Sequence, residues 1–79
     1  MKPHEALEEI RKDLAVSFGE GLAARIIISA RSNAQAPVIG LDRAKYVEMV
    51  RMVCKDERVV GMLGELGVKD RKAKWETLV

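Results

Sequence analysis

The chain has 79 residues, 48% of them hydrophobic and 33% charged, with a formal net charge of only +2. One domain, residues 1–79, accounts for that length, and its single core is barely sufficient, a shortage that small proteins meet with disulfides, a metal or a partner subunit. The only cysteine, Cys54, rules out an internal disulfide, and together with the only histidine, His4, it cannot fill a tetrahedral zinc site, so association is the supplement left.

The same inventory sets other classes aside. A lone thiol suits a reducing cytoplasm. Met1-Lys2-Pro3-His4-Glu5 runs straight into a charged helical pattern with no secretory leader. The longest strongly apolar stretch, Ile26-Ile27-Ile28, is far too short to span a membrane. The expectation is a cytoplasmic protein with no membrane, metal or cofactor partner. The small net charge admits a local basic patch without calling for nucleic acid.

From Pro3 to about Phe18 the periodicity predicts a helix: Leu7, Ile10, Leu14 and Phe18 recur at three- and four-residue steps and line one face. Pro3 suits the first turn, where its missing N–H has no acceptor to lose. Glu5, Glu8, Glu9 and Asp13 are expected on the outward face, with Glu8 and Lys12 four apart in the orientation that stabilises a helix by about 0.3 kcal/mol. Gly19 and Gly21 supply the stop.

Leu22 to about Ser32 admits two readings. Wound as a helix it is apolar almost all round, interrupted by Arg25 and Arg31, and becomes the most buried helix of an all-α bundle. Its three consecutive isoleucines also suit a strand, and residues 25–30 could pair with 37–41 in an α+β hairpin. Length and the alanines Ala23, Ala24 and Ala30 favour helix.

Ser32 to Pro37 reads as a loop, after which Asp42 is a good N-cap for a helix to about Lys55. Tyr46, Val47, Val50, Val53 and Cys54 form its inward stripe, with Met49 at the edge and Met52 among the charges. Asp56 caps a short helix carrying Val59, Val60, Leu63 and Leu66, which Gly67 closes. Asp70 caps a last helix holding Trp75 and Leu78. The expected architecture is therefore an all-α bundle of four to five short helices. Its core comprises Leu7, Ile10, Leu14, Phe18, Leu22, Ile26, Val47, Val50, Val53, Leu63, Leu66 and Trp75.

No catalytic constellation emerges. His4 lies near a terminus that frays, Cys54 falls on an apolar stripe, and the acidic residues of the first helix face water. Gly19-Glu20-Gly21 lacks the preceding strand, third glycine and following Lys-Ser/Thr of a phosphate loop.

Two features remain. An apolar helix, then Leu66-Gly67-Val68, then Lys69-Asp70-Arg71-Lys72-Ala73-Lys74-Trp75, resembles the middle of a helix-turn-helix unit over about 20 residues. The resemblance implies that Lys69, Arg71, Lys72 and Lys74 meet DNA while Ala73 faces inward. Leu63 and Glu76 depart from its pattern, standing where a small residue and an inward hydrophobe are usual. Val16, Met49, Met52 and Met62 form the second feature, an apolar surplus suited to an adaptable protein interface. The function expected from these residues is a non-enzymatic interaction or oligomerisation module, its partner a protein or a second copy. The alternative is a small helix-turn-helix-like DNA-binding protein using the basic C-terminal helix.

Overall fold

The computed structural model describes Met1–Val79, and every regular element in it is helical. Four helices follow one another: α1 (Pro3–Phe18), α2 (Glu20–Ala34), α3 (Arg43–Lys55) and α4 (Glu57–Glu76). The all-α reading is thus the one observed. Residues 25–30 form no strand; they lie within α2, and 37–41 are an irregular loop.

Local chemistry sets most boundaries. Pro3 opens α1, and the Glu5 carboxylate accepts a hydrogen bond from the Lys2 N–H at 3.0 Å. Gly19 separates α1 from α2 at φ 81°, ψ 163°, a region essentially reserved for glycine. Its N–H closes α1 on the Ala15 carbonyl while its own carbonyl starts α2 by accepting from Ala23. Gly21 does not contribute to the stop; it is the second residue of α2. Gln35 ends α2 in the left-handed region at φ 52°. There the N–H groups of Gln35 and Ala36 turn back onto the Ser32 and Arg31 carbonyls, the paired bonds of a Schellman motif. Asp42 caps α3 by accepting from the Lys45 N–H at 2.8 Å, and Asp56 caps α4 by accepting from the Arg58 N–H at 2.9 Å.

The last two expected helices are one element broken at a different residue. The break falls at Gly64 (φ 72°, ψ 171°), whereas Gly67 is helical and Asp70 lies mid-helix instead of at a cap. Leu66, expected in the core, follows that break and is 79% exposed. Moving the break three residues upstream rotates the whole final segment, and Ala73, expected inward, is exposed for the same reason.

In packing, α1 lies on α2, α2 on α3 and α3 on α4, with α1 also touching α3 and α4. Ala6, Ala23, Ala30 and Ala34 are buried between these helices, small enough to let backbones approach. Ile10, Ile26, Tyr46, Met49, Val50, Val53, Val59 and Trp75 supply the buried volume. Phe18, Leu22, Val47 and Leu63, expected in the core, pack against it while only partly buried. No helix is long and apolar enough to cross a membrane.

Candidate interaction surface

Asp13 organises the seam between α1 and the end of α4. It sits beside Leu14 on the edge of the apolar stripe, and its carboxylate is largely covered, not outward as its charge suggested. Oδ1 accepts from Arg71 Nη1 at 2.6 Å, and Oδ2 accepts from the indole Nε1 of Trp75 at 3.1 Å. Lys74 Nζ stands 3.6 Å from the same Oδ2. From the other side, Tyr46 on α3 donates its hydroxyl to the Trp75 carbonyl at 2.6 Å. A buried indole and a buried phenol therefore both have partners, as burial of a polar atom requires.

This arrangement divides the four cations singled out on α4. Arg71 and Lys74 turn toward Asp13 on α1. Lys72 is half-buried and enters no ion pair. Lys69 alone is exposed and in no ion pair.

The apolar candidates separate as well. Val16 is 88% exposed and lines an open groove of about 290 Å³ between α1 and α4, with Lys74, Trp75 and Leu78. Met62, beside the break in α4, is exposed too. Met49 is fully buried, since one step around the helix from the Val50–Val53 stripe still faces the core, and Met52 packs half-buried against that core.

Three surface features escaped the sequence. Val38 and Ile39 stand in water between Pro37 and Gly40, Ile39 at 89% exposure, while the loop from α2 to α3 reaches the core through the buried Leu41 and the half-buried Ala36. Ile28 on α2 is 63% exposed, while Ile26 and Ile27 beside it are buried. Arg31 on the same helix is half-buried and leaves its Nε out of contact with both water and any acceptor. A continuous apolar run gives no signal of which member faces out; only the positions of α1 and α3 decide it.

Ile28 and Arg31 lie along an open groove of about 280 Å³ between α1 and α2, floored by Leu7, Ala24 and Ile27. His4 and Arg11 border it from α1. Arg11 is tied to both Glu8 and Glu20, which hold its guanidinium firmly in the charged form. Glu8 therefore pairs with Arg11, and Lys12 with Glu9 at 3.9 Å, in place of the expected Glu8–Lys12 pair.

Elsewhere the chemistry is that of packing. Burial pushes the Cys54 thiol up to about 11, leaving it protonated and unreactive near neutral pH. His4 is exposed, and no group of three His, Cys, Asp or Glu side chains is placed to hold a metal ion. The chain matches no protein-family model, and neither the curated proteins nor the solved structures yield a match.

Proposed function

We propose that this chain is a non-enzymatic interaction module that associates through apolar side chains its own fold leaves in water. The observation that carries the reading is the exposure of Ile28 on a helix whose remaining isoleucines are core. A helix apolar around most of its circumference is normally enclosed, and here α1 and α3 cover only part of it. Val16, Val38, Ile39 and Leu66 add further exposed aliphatic surface. Scattered aliphatic residues are ordinary on any surface, so the weight rests on Ile28 and its surroundings.

The test is thermal melting over a hundredfold range of protein concentration, with light scattering at each end. Association predicts a melting temperature that rises with concentration, because anything binding only the native state stabilises it by mass action. A constant melting temperature with a monomer throughout removes self-association and leaves a different protein as the partner.

The nucleic-acid reading draws on the exposed Lys69 and the half-buried Lys72, with Arg71 and Lys74 already joined to Asp13. It predicts salt-sensitive binding of labelled duplex DNA, lost several-fold in a Lys72→Glu, Lys74→Glu variant. Absence of binding at low salt removes the α4 helix from consideration.

A further inference from the structure

The unpartnered edge of α2 carries Glu20, Ala24, Ile28 and Arg31 at steps of four, four and three, which places them in one row along the helix. In chain order the row reads acid, small, large, base. Read backwards it is its own complement: base meets acid and large meets small.

Each member has an observation that leaves it open. Ile28 is 63% exposed. Ala24 and Arg31 line the same groove beside it. Arg31 enters none of the chain's ion pairs, and its Nε is buried without an acceptor. A guanidinium with one N–H buried and unpaired, and no anion beside it, is an arrangement that a nearby carboxylate improves. Glu20 gives one oxygen, Oε2, to Arg11, and its side chain remains 73% exposed.

We propose that a second copy of this chain occupies this face, with the two α2 helices antiparallel about a two-fold axis. The proposal rests on the interaction-module reading and names its partner and register. In that register Ile28 of each copy seats over the partner's Ala24. Arg31 of each reaches the partner's Glu20, which gives two equivalent ion pairs. An isologous contact closes on itself, so the assembly is a dimer and does not propagate. Gly21, also exposed on α2, offers no side chain to hold the two backbones apart. The antiparallel arrangement also sets the positive end of each helix dipole beside the negative end of its partner's.

A charge-swap series in sedimentation equilibrium tests it. Wild-type protein is expected to dimerise. Arg31→Glu and Glu20→Arg, each of which sets like charges opposite one another, are each expected to raise the dissociation constant at least about tenfold. The double variant, with both charges exchanged, is expected to bind more tightly than either single variant, short of wild type because Glu20→Arg also sets a like charge beside Arg11. Circular dichroism on each variant confirms that the helices persist, and Ile28→Asp is expected to abolish the dimer without that loss. Wild-type protein that dimerises with the single variants unaffected, or a double variant that fails to recover, overturns this face and leaves the interaction reading standing. A wild-type protein that is monomeric at millimolar concentration overturns the dimer itself.

Discussion

The α1–α4 seam and the outer edge of α2 both mix charge with apolar surface, yet only one is finished within the chain. At the seam, Asp13 satisfies Arg71 and the Trp75 indole, and Tyr46 satisfies the Trp75 backbone. Along α2, Ile28 stays in water and Arg31 has no anion. The contrast shows that a small domain can complete one polar–apolar junction by closing its last helix onto its first, and leave another open.

Truncation gives the largest expected difference between them. Trp75→Ala removes a side chain that is 1% exposed and is expected to reduce unfolding free energy by about 3–5 kcal/mol. A domain of this length has on the order of 4–12 kcal/mol in total, so urea denaturation should show a variant near the edge of folding. Ile28→Ala, measured at a dilution where any dimer has dissociated, should change stability by no more than about 0.5 kcal/mol. A large loss at Ile28 under those conditions would mean that the α2 edge is core after all.

Asp13→Ala sharpens the same contrast from the polar side. It strands a buried indole N–H and is expected to lower stability by about 1–3 kcal/mol in chemical denaturation. Because the Arg71 and Lys74 side chains are partly in water, most of that loss belongs to the Trp75 hydrogen bond. Asp13→Asn, which keeps an acceptor oxygen, should recover part of it.

The seam also depends on the break that aims the final segment of α4. Gly64 occupies a conformation available in practice to glycine alone, although a Cβ there would meet nothing within 4 Å. Gly64→Ala should therefore destabilise through backbone strain, by about 1–3 kcal/mol. Gly61 is helical with equally open space, and Gly61→Ala should stabilise by about 0.5–1 kcal/mol. Thermal melts of the two variants should move in opposite directions.

The smallest expected effect is alkaline. Burial raises the Cys54 thiol from 9.0 to about 11, with Glu76 adding to the shift and Lys72 opposing it. Burial, with Glu76 secondary, raises the Tyr46 phenol from 10.0 to about 12. Both groups are held protonated in the fold, so the unfolded chain loses their protons first. Their contribution is complete below about pH 9 and is lost as pH rises through 11 and 12. Denaturation at pH 8 and at pH 10.5 should show the decline, and Cys54→Ala should remove its lower-pH part.

How far the sequence discloses this molecule differs by element. The α1 stripe, the Asp42 and Asp56 caps and the inward face of α3 follow from local periodicity and side-chain chemistry; both caps are observed, and the stripes are buried except at Phe18 and Val47, which are half-buried. The break in α4 is not legible in the same way. Gly61, Gly64 and Gly67 stand at equal spacing, and nothing in their local sequence singles out the middle one. Asp13 reads as a surface charge until its partner arrives from 62 residues along the chain. The candidate surface was legible only where a residue stood clear of every stripe, as Val16 does. Met49 misled because it sits one step from a stripe wide enough to include it, and Ile28 was hidden inside a uniform run.

The contrast between a closed seam and an open α2 edge can be watched directly by amide and indole NMR over a dilution series. The account predicts that lowering the concentration shifts the signals of Ala24, Ile28 and Arg31, with Leu7 and Glu8 opposite them, while the Trp75 indole resonance stays fixed. Spectra unchanged from millimolar to micromolar concentration, or changes concentrated at Trp75 and Asp13, would contradict it.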